Sequence, residues 1–250
     1  RDRRDHRGDS LSVAAVMLAR DEADIIEVVA NHLLFHVDEV IVADNRSTDG
    51  TREILERLPI TLQDDPEIAY WQDRKTTAMA MEALDRGHQW VVPCDADEVW
   101  HCGDPDQRIS DMLGSLGPDV IRVRAAMFDH YPTADDDAEV PCPIRRFGFR
   151  KRVASSQKTA GRLTTGMHIQ MGNHDIDYPG PALGIQRLNI RHFAWRSEEQ
   201  AVRKVRNGIE AYNAAVGIGA EFGVGWRQWE GRPDEAIIDW FHQWGWSEHP

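Results

Sequence analysis

Short apolar runs recur through the first half of the chain, each followed by a polar turn and then by residues at helical spacing. Residues 13–18 (Val-Ala-Ala-Val-Met-Leu) predict a first strand. From Asp21 the spacing changes, with Ile26, Val29, Ala30 and Leu33 at i, i+3, i+4 and i+7, and a helix over 21–36 is predicted. Residues 40–43 predict a second strand that ends in the polar turn Asp44-Asn-Arg-Ser-Thr-Asp-Gly-Thr51. A helix over 52–58 follows, with Asp49 or Thr51 able to cap it. Residues 60–62 predict a short third strand and 75–86 an amphipathic helix that ends at Gly87. Trp90-Val-Val-Pro then reads as the buried end of a strand covered on both faces. This alternation predicts an α/β fold with a mainly parallel, doubly wound sheet and helices on both faces.

The second half is less regular. Residues 107–116 predict a helix, 120–128 a strand, 129–143 a loop with an acidic run and three prolines, and 145–177 mixed, strand-like structure. Ser197-Glu-Glu-Gln200 is a capping box that opens a long helix to about residue 215. Trp226, Trp229, Trp240, Trp244 and Trp246, five of the nine tryptophans, mark a helical, Trp-rich C-terminal tail. Trp240 and Trp244, spaced i, i+4, share one face. Such a tail suits packing on the domain, a homodimer seam, or a platform for a flat acceptor. Three segments are therefore expected: a disordered or tag-like 1–10, the α/β domain over 11–215, and an extension over 216–250.

Composition narrows the class. A chain of 250 residues with 41% hydrophobic and 28% charged content can bury a sizeable globular core. No run approaches the roughly 20 apolar residues of a membrane span, and the charged opening lacks the apolar core of a signal peptide. That opening has no initiator Met, as in an excised piece. Cys94, Cys102 and Cys142 lack CxxC spacing, which argues against a disulfide framework or structural zinc and for a reducing, cytoplasmic compartment. A net charge of −13 disfavours nucleic acid and anionic membrane as partners. Positive charge gathered at 145–152 and 187–206 suits a small anionic ligand, or simply a solvated basic face.

The candidate chemistry sits where the Trp90 strand ends. Asp95, Asp97 and Glu98 fall at its carboxyl edge, where open α/β sheets bind ligands. Three anions this close repel, and a divalent cation bridging to a phosphate-bearing substrate is the simplest relief. The alternative is a solvated acidic loop capping the next helix. His32 and His36, also spaced i, i+4, have no third ligand in the pattern and read as packing or surface histidines.

Taken in order, Ala19-Arg-Asp-Glu-Ala-Asp24, the Asp44–Thr51 turn, Gln89-Trp-Val-Val-Pro-Cys-Asp-Ala-Asp-Glu-Val-Trp100, Gly172-Asn-His174 and His192-Phe-Ala-Trp-Arg-Ser-Glu-Glu-Gln200 resemble glycosyltransferase family 2, in particular a bacterial subgroup with a D-A-D-E centre. The resemblance implies a GT-A fold and a metal-dependent transfer, inverting at the sugar, from a nucleoside-diphosphate donor to a hydroxyl acceptor. It implies Mn²⁺ or Mg²⁺ held by Asp97, with Asp95 sharing the ion or touching ribose and His192 beside the metal or diphosphate. It also implies nucleoside contacts from Arg20, Glu22, Asp44 and Asn45. Asn45 departs from the family's more usual Asp and brings an NH₂ donor that could read a different base edge. Lys158, Arg196 and Lys204 are candidates for diphosphate or acceptor anions, and Glu98 for orienting the metal shell or touching the sugar. The family's usual E-D pair is absent, so His174, Asp175 and Asp177 are the candidates for general base. Two further readings stay open: a nucleotidyltransferase or nucleotide-sugar hydrolase on the same fold, and an inactive nucleotide-sugar-binding module.

Overall fold

The chain runs β1 (Val13–Ala19), α1 (Ile26–His36), β2 (Glu39–Asp44), α2 (Thr51–Leu55), β3 (Thr61–Asp64), α3 (Gln72–Asp85) and β4 (Trp90–Asp95). A two-residue turn leads from β4 straight into β5 (Glu98–Cys102), and α4 (Ile109–Gly114), β6 (Val120–His130), α5 (Pro143–Arg146) and β7 (Arg150–Arg162) follow. The short pair β8 (His168–Ile169) and β9 (Ile176–Asp177) precedes β10 (Leu183–His192), and α6 (Glu198–Ala214), α7 (Val224–Arg227) and α8 (Asp234–Trp246) come last. This computed structural model describes residues 11–104, 106–219 and 221–246, the side chains at 152–156 and 244–246 aside. The expected tag-like segment 1–10, and the expected pairing of Trp240 with Trp244, lie outside what is described.

Eight strands form one sheet in the order β3-β2-β1-β4-β7-β6-β10-β5. Strands β1, β2, β3, β4, β6 and β10 run one way, and only β5 and β7 run against them. The sheet is thus mainly parallel, as its apolar runs predict. β1 and β4 are apolar on both faces because helices cover both. Val13, Met17, Trp90 and Val92 pack with Ile26, Val29 and Leu33 of α1, while Ala14, Val16 and Val91 pack with Met79, Ala80 and Ala83 of α3.

Local chemistry moved two boundaries. The helix expected from residue 21 begins at Ile26, because Asp21 adopts a left-handed φ of 55° and spends its carboxylate on the neighbouring loop. Gly50, also left-handed, stands at the N-cap of α2, and Asp49 Oδ1 accepts the Thr51 N–H at 3.0 Å from just outside it. The capping box behaves as read: Ser197 Oγ accepts the Gln200 N–H, and Gln200 Oε1 accepts the Arg196 N–H at 3.1 Å. The Trp-rich tail folds back, with Trp229 and Ile237 buried against Val205 of α6. Among the described residues no helix is long and apolar enough to cross a membrane.

One pH dependence follows from the core. His36 is buried beneath α1, with its ring 4.3 Å from that of His32, and burial pushes its pKa down to about 4. Burial likewise pushes His130 down to about 4. Below about pH 6.5 the unfolded chain takes up protons that these folded imidazoles refuse until about pH 4. Stability should therefore fall with decreasing pH across that window, by up to about 1.4 kcal/mol per pH unit for each such group. His36→Phe should flatten the decline, measured as melting temperature from pH 7 to 4.

Candidate active site

β7 pairs with β4 only at Trp90 and Val91, so the two strands part toward the carboxyl end of β4. Lys158 of β7 fills the gap. It is buried, with Nζ 2.6 Å from Asp95 Oδ2 and 3.1 Å from Glu98 Oε1. Burial opposes the ammonium charge, but the two carboxylates outweigh it and hold the Lys158 pKa above its ordinary value. Gln72 Nε2 and Asn173 Nδ2 donate to Asp95 Oδ1 at 2.7 and 3.0 Å. Glu98 opens a strand rather than a helix, is fully buried, and accepts the Asp95 N–H and the Trp100 indole N–H, both at 3.1 Å. Lys158 and Glu98 therefore brace the acidic turn from behind. This corrects the expectation that Lys158 meets a substrate anion and that Glu98 touches the sugar: neither lines the cavity.

A second group surrounds Asp97. The ladder β5–β10–β6 puts Glu98, His192 and Asp129 in one row. His192 Nδ1 donates to Asp129 Oδ1 at 2.6 Å, and its Nε2 lies 3.6 Å from Asp97 Oδ2. Lys204, from α6, donates to the same Asp97 oxygen. Burial opposes charge on His192, yet Asp97 and Asp129 raise its pKa to about 10. For Asp97 burial acts upward, and Lys204 and His192 overcome it, holding the carboxyl well below the usual range. Asp129 was not among the residues singled out from sequence. Its signal was there, since it follows the predicted 120–128 strand at the edge where ligands bind.

The first two loops are latched to each other. Asp21 Oδ1 accepts the Thr48 N–H at 2.6 Å, Asp49 Oδ2 the Ala23 N–H at 3.1 Å, and Thr51 Oγ1 the Glu22 N–H at 2.8 Å. Arg196, expected at an anion, is buried between Glu22 and Asp24 and also donates to the Phe193 carbonyl, so its role is structural. Asp44 is buried outside the cavity lining, 3.9 Å from Arg52. Asn45 lines the cavity, but its NH₂ is spent on the 65–67 loop, donating to Asp65 Oδ2 at 2.9 Å and the Glu67 carbonyl at 2.7 Å. That donor is not left over to read a base edge. Arg20 and Glu22 do line the cavity. Arg20 pairs with Glu210, while its Nε and Nη1 are buried without a partner among the described residues.

These side chains enclose a cavity of about 440 Å³ at the carboxyl ends of β1, β2, β4, β6 and β10. Asp95, Asp97 and His192 line it together. His174, Asp175 and Asp177 do not reach it. Asp175 is held by Arg122 at 3.1 Å, Asp177 accepts from Gln170, and His174 faces the Gln157 carbonyl. Of the expected anion ligands Lys158, Arg196 and Lys204, only Lys204 faces the cavity.

Among the described residues no three His, Cys, Asp or Glu side chains stand together as a ready set of metal ligands. Asp95 accepts from Gln72, Lys158 and Asn173, whereas Asp97 accepts from Lys204. Asp97 and His192 do fit a divalent cation. They offer a carboxylate oxygen and an imidazole nitrogen whose ring is oriented by Asp129, and substrate phosphates commonly complete so small a set. A cation there competes with the Lys204 ammonium and the His192 proton.

Residues 15–116 match the family model described as glycosyl transferase family 2. No curated protein matches the chain. Among solved structures, glucosyl-3-phosphoglycerate synthase from Mycobacterium tuberculosis, in complex with Mn²⁺, uridine diphosphate and phosphoglyceric acid, is 19% identical over 47% of this chain and 43% of that one, with a TM-score of 0.35. Mannosyl-3-phosphoglycerate synthase from Rubrobacter xylanophilus is 24% identical over 47% and 41%, with a TM-score of 0.33. The chain thus spans less than half the length of these solved relatives.

Removing Lys158 tests the brace. Lys158→Met leaves Asp95 and Glu98 buried without their shared cation, and should destabilise the protein by about 3–5 kcal/mol in urea unfolding. A change below about 1 kcal/mol would mean that the ammonium is dispensable to the acidic turn.

Proposed function

We propose that this protein is a metal-dependent glycosyltransferase that moves a sugar from a nucleoside-diphosphate donor to a hydroxyl acceptor. The observation that carries the reading is the chain of side-chain contacts Asp97–His192–Asp129 at the carboxyl edge of the sheet, lining a cavity that the family-matched segment also lines. Asp97 and His192 would hold Mn²⁺ or Mg²⁺, with Asp129 fixing the imidazole so that Nε2 faces inward. A bound cation of this kind supplies Lewis-acid stabilisation to a departing diphosphate. Lys204 and the spare N–H groups of Arg20 add positive charge where the phosphates would lie. Lys158 and Glu98 keep the Asp95 turn rigid, so the groups are oriented before substrate arrives. In the reaction the bond between sugar C1 and the diphosphate oxygen breaks, and one from C1 to the acceptor oxygen forms with inversion. The acceptor proton leaves to a carboxylate on the cavity wall.

A thermal-shift panel of UDP, GDP, CDP and dTDP, each with and without Mn²⁺, tests the reading. One nucleotide at about 100 times its dissociation constant should stabilise the protein by about 2.7 kcal/mol, a shift of several degrees. Asp97→Ala should remove the Mn²⁺-dependent part and abolish transfer with the fold intact. No shift with any nucleotide would remove the proposal. Release of pyrophosphate in place of nucleoside diphosphate would favour a nucleotidyltransferase.

A further inference from the structure

The cavity has two unlike walls. One is the charged strand edge with Asp95, Asp97, Asp129 and His192. The other is aromatic, and the last part of the chain supplies Trp195, Tyr212 and Trp226 to it, with the Tyr212 ring 4.4 Å from that of Tyr70. Trp195 follows β10, Tyr212 lies on α6, and Trp226 lies on α7 of the C-terminal extension. The Trp195 and Trp226 rings stand 5.9 Å apart.

This wall is built to a close tolerance. Gly208 on α6 faces Trp226 so closely that a Cβ there would meet the indole at 2.8 Å. Gly223, with a φ of +71°, stands as close to the Tyr212 ring. Behind the wall, Trp195 meets Trp240 edge to face at 4.8 Å, so α8 supports it. Trp195 and Trp226 are nonetheless only partly buried, and they keep surface toward the cavity.

Charge limits what can sit there. Five lining carboxylates (Glu22, Asp65, Asp95, Asp97 and Asp129) outnumber the three lining Lys and Arg side chains (Arg20, Lys75 and Lys204), each of which is already paired with a carboxylate. Arg20 keeps two N–H groups without a partner among the described residues, and His192 lies between Asp97 and Asp129. A diphosphate donor would enter with its own divalent cation. A second anion, such as a phosphorylated or carboxylated acceptor, would find no uncommitted ammonium. An uncharged polyhydroxylated ring suits both walls, its C–H face on the indoles and its hydroxyls toward the carboxylates.

We propose that the Trp195–Tyr212–Trp226 wall is the acceptor subsite and that it takes a neutral sugar; this rests on the transferase reading above. The C-terminal extension is thereby part of the substrate site as well as of the core.

Saturation-transfer NMR on the full chain, with the nucleoside diphosphate selected by the thermal panel and Mn²⁺, tests this. The probes are methyl β-D-glucopyranoside, maltose and N-acetylglucosamine, set against 3-phosphoglycerate. Neutral sugars should receive saturation from the protein and 3-phosphoglycerate should not displace them. Trp226→Ala should weaken sugar binding at least about fivefold, as loss of one stacking surface implies, while nucleotide affinity changes by less than about twofold. Gly208→Ala, a smaller change that pushes on the same indole, should weaken sugar in the same sense and covers the case in which Trp226→Ala fails to fold. Absence of sugar binding, preference for 3-phosphoglycerate, or an equal loss of nucleotide in both variants would overturn the assignment. The last result would mean that the wall stacks the base. Sugar binding without any nucleotide binding would instead sink the transferase reading and leave the platform standing.

Discussion

Carboxylates crowded at one end of a sheet repel one another, and the structure at that end is an answer to the repulsion. Asp95 and Glu98 are held apart from Asp97 by separate cations, Lys158 from the sheet and Lys204 from α6. The two lysines differ in what they leave free. Lys158 is sealed behind the turn, whereas Lys204 stands in the cavity. Buried pairs of this kind contribute little net stability, but breaking one is costly. They serve here to hold an acidic edge in a single arrangement.

The same logic organises the loops around it. Arg196 joins the first loop to the start of α6 through Glu22 and Asp24, and Asp21 and Asp49 lace the first loop to the second. Residues that look from their types like ligand-binding groups are committed to positioning the cavity rim. Loops built on open backbone need such partners, since their N–H and C=O groups have no ladder to satisfy them.

The C-terminal extension changes the character of the cavity. Strand ends alone would make a polar cleft, and α6 and α7 add a wall of rings across from it. Glycine at 208 is what lets an indole lie that close to a helix.

What the sequence determined by itself was set by local periodicity. The parallel strands β1 to β4, the helices between them and the Ser197 cap follow from hydrophobic spacing and cap chemistry, which depend on near neighbours. The acidic Asp95–Asp97 edge was legible for the same reason, because a carboxylate just past a buried strand has one place to go. Tertiary structure alone decided the partners. Register across β5, β10 and β6 put Asp129 behind His192, and the parting of β7 from β4 sent Lys158 to Asp95 rather than to a ligand. Asp175 met Arg122 instead of the cavity. Charge pairing between residues far apart in the chain depends on which strands become neighbours, and the order of residues along the chain does not encode that locally.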